Sequence, residues 1–318
     1  MQLAILDDYK RLAFEHADWS DVEGQVKITV FDHHLGDDDA VVEALKDFQI
    51  VTCIRERTRF PATVIGRLPK LELIVTAGMR NRGIDMAAAR DAGVIVSGTP
   101  SLGYPAFEHT WALILGLAKN LPREDRIMHA GGWQAELPVT LKNKTLGILG
   151  LGKLGSQVAA VGKAFGMRVI AWSQNLTEER AAEHGVQRVE KEALFSESDF
   201  ITVQLVLSDR TRDLVGKQEL GWMKPSAYLI NTSRGPIVNE AALIQALRDQ
   251  TIAGAGLDVY DIEPLPASHP LRTLDNAILT GHTGYGVAEA FKMFFPAFVE
   301  AVEAYLDGRP IRVLNGVV

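Results

Sequence analysis

Residues Thr145 to Gly155 read TLGILGLGKLG, and this stretch decides the fold that we predict. A short apolar run leads into a G-x-G-x-x-G turn formed by Gly150, Gly152 and Gly155, and a helical pattern of apolar residues follows. In such a unit the first glycine allows a tight turn, the second lets the backbone approach a pyrophosphate, and the third lets the helix pack close to the strand. A second apolar run at 167–172 completes a βαβ unit, so the stretch predicts a dinucleotide at the helix N-terminus. The alternative is a glycine-rich turn in an ordinary α/β protein.

Composition limits the class of protein. The chain has 318 residues, 47% of them hydrophobic and 23% charged, which is enough for two globular domains. Its net charge of −7 argues against nucleic acid or an acidic membrane surface as a partner. Cys53 is the only cysteine, so we expect neither a disulfide nor a metal site, and its apolar neighbours predict a core residue. The N-terminus does not resemble a signal peptide and no apolar stretch would span a bilayer, so we expect a cytoplasmic protein.

Strand and helix patterns alternate along the chain, which predicts the α/β class, with two Rossmann-like doubly wound parallel-sheet domains and a cleft between them. We expect residues 1–99 and 286–318 to form a substrate-binding domain, and residues 100–285 to form the NAD(P)-binding domain. The apolar helix predicted at 107–121 is either enclosed in one domain or part of a subunit interface. Asn239 should cap a helix at 240–248. The remaining strands are expected at 2–6, 27–31, 50–54, 71–75, 94–97, 199–205, 227–230, 253–257 and 277–279, and a last helix at 287–306.

Three polar side chains follow apolar strands, at positions where doubly wound folds bind ligands. They are Arg234, Glu263 and His282. The planar fork of an arginine suits a carboxylate, and a histidine held by a carboxylate can act as a general acid or base near neutral pH. Each alone could be an ordinary surface or turn residue. Together, and after a dinucleotide motif, they predict a catalytic set.

The sequence from 71 to 284 resembles the D-isomer-specific 2-hydroxyacid dehydrogenase family. The segment Met223–Gly235, MKPSAYLINTSRG, is similar to the family's MKPGA-LINT-RG. Asp258–Pro264, DVYDIEP, is similar to its D-V-F-x-x-E-P, and Gly78–Asp85, GMRNRGID, resembles its substrate-side loop. These motifs are specific, and together they indicate two Rossmann-like lobes, the first completed by the C-terminal helix, and usually a dimer.

The resemblance also implies a role for each matching residue. Arg234 would hold the substrate carboxylate and keto oxygen, His282 would give or take the hydroxyl proton, and Glu263 would orient His282. Backbone amides near Ala77, Gly78 and Met79 would hold the carboxylate as well. The cofactor-binding residues that we expect are Gly150, Gly152, Lys153, Leu154, Gly155, Ser173, Gln174, Thr232 and Asp258, of which Thr232 and Asp258 would lie beside the nicotinamide.

Some positions depart from the family pattern. Gly281 occupies the place of a common proline before the histidine, and Thr283 to Tyr285 replace small apolar residues. Gln204 and Val206 occur where a histidine and a proline are common. We expect these changes to affect the size and shape of the substrate rather than the reaction.

We therefore expect an oxidoreductase that transfers a hydride between NAD or NADP and a small D-2-hydroxy acid or 2-keto acid of the glyoxylate or hydroxypyruvate type. The alternatives are a phosphoglycerate dehydrogenase and a non-enzymatic NAD(H)-sensing, corepressor-like protein. Ser173 and Gln174 follow the second nucleotide strand without a carboxylate or an arginine, so both cofactors should be used with some preference for NADP. Arg55, Arg57, Arg80 and Arg82 could bind a second anionic group, but we expect solvated arginines. We expect a homodimer formed through the helix residues Trp111, Leu113, Ile114, Leu115 and Leu117.

Overall fold

The computed structural model describes residues 1–134 and 136–317, and the chain divides into two compact units. Unit 1 comprises Met1–Leu102 and the chain from Val287 onward, and unit 2 comprises Gly103–Gly286. These divisions lie within a few residues of the boundaries drawn from the sequence, and the first falls inside the proline-flanked segment PSLGYP.

Unit 1 alternates short helices with strands, as its sequence pattern predicts. Its elements before the boundary are β1 (Gln2–Ile5), α1 (Ala13–His16), α2 (Ser20–Glu23), β2 (Lys27–Val30), α3 (Asp38–Leu45), β3 (Ile50–Cys53), α4 (Ala62–Ile65), β4 (Leu73–Thr76), α5 (Met86–Asp91) and β5 (Ile95–Gly98). In the described residues the five strands form a parallel sheet in the order β2-β1-β3-β4-β5. Cys53 is 0% exposed at the end of β3, and burial raises the pKa of its thiol to about 12, which confirms a core residue rather than a nucleophile.

Unit 2 carries the glycine motif in the middle of a larger sheet. Its elements are α6 (Pro105–Ala118), α7 (Leu121–His129), β6 (Thr145–Leu149), α8 (Lys153–Ala164), β7 (Arg168–Trp172), α9 (Glu178–Ala182), β8 (Gln187–Arg188), α10 (Lys191–Glu197), β9 (Phe200–Val203), α11 (Lys217–Trp222), β10 (Tyr228–Asn231), α12 (Glu240–Arg248), β11 (Gly254–Leu257) and β12 (Ala277–Leu279), with 3-10 helices at Gly235–Ile237 and Pro270–Thr273. The described strands are parallel in the order β12-β11-β10-β9-β6-β7-β8. The order reverses between β6 and β9, which is where doubly wound sheets bind dinucleotides.

The apolar helix α6 lies in the core of unit 2. Trp111, Leu113, Ile114 and Leu117 are 0–6% exposed, and they join the core that β6 and β7 also line. A Cβ at Gly256 of β11 would lie 3.0 Å from the Leu113 Cβ, so the helix approaches the sheet closely. These four side chains are therefore buried within unit 2 and do not offer an interface, whereas Leu115, the fifth residue of the prediction, is half-buried.

Two helix ends show what the sequence pattern could and could not predict. The side chain of Asn239 accepts a hydrogen bond of 2.9 Å from the Ala242 amide, so α12 begins and ends as predicted. By contrast, the helix predicted to reach 121 ends at Ala118. Asn120 adopts a left-handed φ of +53°, which ends α6 before the separate helix α7 begins.

The C-terminal helix α13 (Ala288–Leu306) belongs to unit 1 and packs against α1, α2 and β4, which confirms that the last helix returns to the first lobe. Its buried face is aromatic and includes Phe291, Phe294, Phe295 and Phe298. The segment after α13 is fixed by Arg312, whose Nε donates to the carbonyl oxygen of Gly98 at 2.8 Å.

Candidate active site

The glycine turn after β6 has the shape of a phosphate cradle. Gly150 has a φ of +107°, and a Cβ there would lie 2.8 Å from the carbonyl oxygen of Gln204. A Cβ at Gly155 would collide with the carbonyl oxygen of Gly150. A Cβ at Gly152, in contrast, would meet nothing within 4 Å, so this side of the turn is open. The first and third positions thus require glycine for packing, and the second leaves room for a ligand.

The start of α8 fits the pyrophosphate of a nicotinamide dinucleotide. Gly152 is its N-cap residue, and no side chain in the described part of the protein caps the first amides of the helix. Uncapped amides and the helix dipole favour an anion at this end. Lys153 and Leu154 provide the first of these amides, directly beside the open side of the turn.

The end of β7 holds no carboxylate that would contact an adenosine ribose. Ser173 is half-buried and Gln174 is exposed, directly after Trp172. The neighbouring arginine on β8, Arg188, donates from Nε to the Leu176 carbonyl oxygen at 3.1 Å and from Nη1 to Glu190 at 2.8 Å.

His282 and Glu263 form the central pair of the site. Nδ1 of His282 lies 2.5 Å from Oε2 of Glu263, and the other carboxylate oxygen accepts from the Tyr260 amide at 2.9 Å. The carboxylate is thereby fixed by the backbone on one side and holds the imidazole on the other. The ring of Tyr285 meets the His282 ring edge-on, with centroids 5.6 Å apart. The contact that an orienting role for Glu263 requires is therefore present.

Asp258 holds the backbone that carries His282. Its Oδ1 accepts from the Thr280 hydroxyl at 2.6 Å and from the Thr283 amide at 2.8 Å, and its Oδ2 accepts from the Gly284 amide at 2.9 Å. Burial alone would raise the pKa of Asp258, but hydrogen bonds led by those from His109 and Thr280 lower it below its ordinary value. The carboxylate is therefore ionised although it is 1% exposed.

The sequence analysis missed two residues of this cluster, His109 and Thr280. Nε2 of His109 lies 2.8 Å from the Thr280 hydroxyl and 3.3 Å from Oδ1 of Asp258. His109 belongs to α6, an otherwise apolar helix, and it is followed there by the fully buried Thr110. The adjacent polar residues His109 and Thr110 in an apolar helix were the feature of the sequence that could have indicated a role in the site.

Arg234 follows β10 in a turn that is fixed by its neighbours. Nδ2 of Asn231 donates to the Arg234 carbonyl oxygen at 3.0 Å, and Oδ1 accepts from the Ser233 amide at 3.0 Å. A Cβ at Gly235 would collide with the backbone of Tyr260. The Arg234 turn and the turn that leads to Glu263 therefore pack directly on each other within unit 2.

Thr232, expected beside the nicotinamide, belongs to a network of uncharged groups. Its hydroxyl lies 2.6 Å from that of Thr110. Nε2 of Gln204 donates to Thr202 at 2.8 Å and to Thr110 at 3.2 Å. Gln204, one of the departures from the family pattern, therefore hydrogen-bonds to the threonine network at the end of β9.

In unit 1, two of the three backbone amides predicted to bind the substrate already donate hydrogen bonds within the protein. The Ala77 amide donates to the Cys53 carbonyl oxygen at 3.0 Å, and the Gly78 amide donates to the Thr99 hydroxyl at 2.8 Å. Met79 is 49% exposed, and its amide has no partner among the described residues. Of the three amides assigned to the substrate, that of Met79 alone is not already engaged within unit 1.

The arginines of unit 1 have mixed surroundings. Nη1 of Arg57 donates to the Asp7 carbonyl oxygen at 3.0 Å, and its guanidinium lies 4.8 Å from the centre of the Tyr9 ring. Arg55 is half-buried next to Glu56. Arg80 and Arg82 are exposed.

This combination of a dinucleotide cradle and a histidine–carboxylate pair in one doubly wound unit defines a nicotinamide-dependent oxidoreductase. The model of the family described as D-isomer specific 2-hydroxyacid dehydrogenase, NAD binding domain, matches residues 111–284. The chain belongs to the D-isomer-specific 2-hydroxyacid dehydrogenase family, and it is an NAD- or NADP-dependent enzyme.

Individual relatives agree with this family. A glyoxylate reductase from Aeropyrum pernix is 37% identical, with 81% of this chain and 80% of the relative covered. A D-3-phosphoglycerate dehydrogenase from Methanocaldococcus jannaschii is 35% identical over 84% of this chain, which spans about half (52%) of that relative. The crystal structure of a phosphoglycerate oxidoreductase from Vibrio cholerae O395 is 34% identical, covers 97% of this chain and 99% of its own, and has a TM-score of 0.90.

No helix within residues 1–134 and 136–317 is both long enough and apolar enough to cross a bilayer.

Proposed function

We propose that this dehydrogenase interconverts a small D-2-hydroxy acid and its 2-keto acid, of the glyoxylate or hydroxypyruvate type. The observation that carries the proposal is the His282–Glu263 pair, joined at 2.5 Å in the unit that holds the glycine cradle. A bound nicotinamide would give or take the hydride at the substrate C2. The chain's own residues must then manage the proton, the negative charge and the position of the substrate.

His282 handles the proton in this proposal. Negative charge develops on the keto oxygen during reduction, and a nearby acid must neutralise it. Because Glu263 engages Nδ1, the ring nitrogen that exchanges the proton is Nε2. Reduction needs the charged ring as the proton donor, and oxidation needs the neutral ring as the proton acceptor.

Arg234 anchors the substrate carboxylate and polarises the keto oxygen. A guanidinium offers parallel donors that match two oxygen acceptors. The turn that presents it is held by the hydrogen bonds of Asn231 and by the close packing at Gly235. The Met79 amide is the further donor that we assign to the carboxylate.

A small substrate is favoured over a phosphorylated one by the surroundings of the unit 1 arginines. Arg57 already donates to Asp7 and covers the Tyr9 ring, and Arg55 lies beside an acidic side chain. The relative from Aeropyrum pernix, a glyoxylate reductase, is covered over most of its length. Phosphohydroxypyruvate is the competing substrate, since phosphoglycerate dehydrogenases also match.

For the cofactor we propose use of both NAD and NADP, with some preference for NADP. An acidic residue after β7 would bind the ribose hydroxyls and repel a 2′-phosphate. Ser173 and Gln174 occupy that position and carry no charge. The nearby Arg188 already donates to Glu190, which is consistent with a modest preference only.

A screen of 2-keto acids tests the proposal. Glyoxylate, hydroxypyruvate and phosphohydroxypyruvate would each be offered with NADH and with NADPH, and oxidation of the cofactor followed by absorbance. We expect the highest kcat/KM with glyoxylate or hydroxypyruvate, and a kcat lower by about a hundredfold or more for the His282→Ala control. A far higher kcat/KM with phosphohydroxypyruvate would contradict the substrate assignment. Absence of turnover with every keto acid would instead favour a nucleotide-sensing protein.

We also propose a cytoplasmic homodimer, built on a different surface from that predicted. Exposed apolar side chains lie on and after α7, where Met128 is 50%, Trp133 73% and Leu137 93% exposed. A second copy of the chain would remove them from water. Sedimentation that shows only a 34.8 kDa species at micromolar concentration would contradict the dimer.

A further inference from the structure

We propose that Asp258 and Thr280 are positioning residues for His282, with His109 as their support. We call these three residues the Asp258 clamp. The inference rests on the proposed function, because it takes His282 as the group that exchanges the proton. It goes beyond the resemblance, which places Asp258 beside the nicotinamide and gives Thr280 and His109 no role.

The clamp holds the His282 loop on both sides of the histidine. Before it, the Thr280 hydroxyl donates to Asp258 at 2.6 Å, and after it the Thr283 and Gly284 amides donate at 2.8 and 2.9 Å. Three donors from one short loop therefore converge on one carboxylate. Backbone amides have little freedom to move away, so the carboxylate fixes the path of the chain rather than a single side chain.

The close approach of the loop is visible at Gly284. A Cβ there would lie 2.9 Å from Oδ2 of Asp258 and 3.4 Å from the Cβ of His109. A side chain at this position would push the loop off the carboxylate. The His282 loop therefore packs so closely on Asp258 and His109 that position 284 has no space for a side chain.

His282 itself needs such support. Its φ is +52°, a left-handed conformation that costs a residue with a Cβ about 1–2 kcal/mol. The surrounding hydrogen bonds keep the backbone in this conformation. The imidazole leaves the loop in a direction set by that backbone, and it meets Glu263 at 2.5 Å.

One turn after β11 supplies both contacts. Asp258 holds the loop and Glu263, five residues later, holds the ring. Between these two residues in the chain, the Tyr260 hydroxyl donates a hydrogen bond of 2.9 Å to the Thr280 carbonyl oxygen. The same turn after β11 therefore fixes both the backbone of the His282 loop and the His282 ring.

The hydrogen bonds around Thr280 determine which ring nitrogen of His109 carries a proton. The Thr280 hydroxyl has one hydrogen, and Asp258 accepts it. The contact of 2.8 Å between the same oxygen and Nε2 of His109 then needs a proton on that nitrogen. His109 therefore donates to Thr280 and directs the hydroxyl toward Asp258.

The test compares Thr280→Val, which removes the hydroxyl at nearly constant volume, with Thr280→Ser, which keeps it. We expect Thr280→Val to lower kcat for keto acid reduction about tenfold, the effect of one hydrogen bond to a charged group. The keto acid KM and the affinity for reduced cofactor, followed by fluorescence titration, should change less than about twofold. Thr280→Ser should retain most of kcat. Equal losses in the two variants, or a loss confined to cofactor affinity, would overturn the inference.

A double-mutant cycle separates the clamp from the proposed function. If Thr280 acts through His282, Thr280→Val should have almost no further effect in a His282→Ala background. The same tenfold loss in both backgrounds would overturn the clamp and leave the proton role of His282 intact. Normal turnover of His282→Ala would overturn the proton role and the clamp together.

A second pair keeps the test decisive if Thr280→Val does not fold. His109→Gln retains a side-chain N–H and His109→Phe removes it. We expect His109→Phe to lose kcat at unchanged cofactor affinity and His109→Gln to recover a large part of it. Equal kcat values in this pair would overturn the supporting role of His109.

Discussion

Asp7 in unit 1 and Asp258 in unit 2 are both 1% exposed and both follow a parallel strand, yet their pKa values move in opposite directions. Burial raises the pKa of Asp7, and the hydrogen bonds from Thr58 and Tyr9 and the charge of Arg57 do not offset it. Burial also acts on Asp258, but there the hydrogen bonds lower the pKa below its ordinary value.

The difference lies in the donors. Asp7 accepts from two hydroxyls, Thr58 at 2.8 Å and Tyr9 at 3.2 Å, and hydroxyls can also serve a neutral acid. Asp258 accepts from two backbone amides, which can only donate, and from the Thr280 hydroxyl, and Nε2 of His109 lies 3.3 Å from its Oδ1. Equal burial therefore does not mean equal function. The carboxylate that is kept charged is the one that holds the loop of His282.

The matched substitutions Asp258→Asn and Asp7→Asn should give the largest contrast. At Asp258 an amide nitrogen would face the Thr283 or Gly284 amide, and an unpaired buried donor costs about 1–3 kcal/mol. We expect Asp258→Asn to lower kcat about a hundredfold and to lower the free energy of unfolding by about 2 kcal/mol. Asp7→Asn should leave kcat within about twofold. Steady-state kinetics and urea unfolding measure both, and similar losses in the two variants would contradict the distinction.

The two glycines beside His282 give a smaller contrast. Gly284→Ala should lower kcat about tenfold, because its Cβ would press on Asp258 at 2.9 Å. Gly281→Ala is the control, since a Cβ there meets nothing within 4 Å and its φ is not left-handed. Kinetics with a saturating cofactor concentration would show the difference. A Gly284→Ala enzyme with normal kcat would mean that the loop does not need its close fit to Asp258.

A third strand end, that of β7, carries no carboxylate at all. Ser173→Asp should shift the ratio of kcat/KM values toward NADH by about tenfold, because a carboxylate repels the 2′-phosphate. Ser173→Asn is the uncharged control. If the wild-type enzyme already prefers NADH by about a hundredfold, the assignment of Ser173 to this position is wrong.

The smallest effect concerns the pH dependence of stability. Since the folded pKa of Asp7 is raised above its ordinary value of 3.8, folded unit 1 holds this proton more tightly than the unfolded chain. The stability that Asp7 contributes is then largest below 3.8 and falls as the pH rises toward the raised pKa. For Asp258 the contribution is present above 3.8 and is lost as the pH falls toward its lowered pKa.

Hydrogen exchange of the β1 and β3 amides, measured at mildly acidic and neutral pH, would detect the Asp7 contribution. In the wild type we expect protection to decrease across this interval beyond the decrease seen in Asp7→Asn. Identical pH dependence in the two proteins would show that Asp7 does not favour its neutral form.

Local patterns predicted the parts of the site that depend on few neighbours. The glycine turn at Gly150 and the Asn239 cap each follow from short motifs, and the approach of Glu263 to His282 was implied by the resemblance to the family. The clamp could not be predicted in this way, because His109 lies 171 residues from Thr280 in the chain.

Two sequence-based expectations depend on tertiary contacts that the sequence does not show. The apolar residues of α6, such as Ile114, could face either a core or a partner chain, and the sequence does not say which. The amides of Ala77 and Gly78 have partners in other strands and loops, Cys53 and Thr99, that only the tertiary structure brings near.

The most direct test of the account is the kcat of His282→Ala for keto acid reduction, measured with cofactor binding checked separately by fluorescence titration. Loss of a positioned proton donor should lower kcat by about a hundred- to ten-thousand-fold, with cofactor affinity unchanged. A His282→Ala enzyme with near-normal kcat would contradict the account, because another group would then supply the proton.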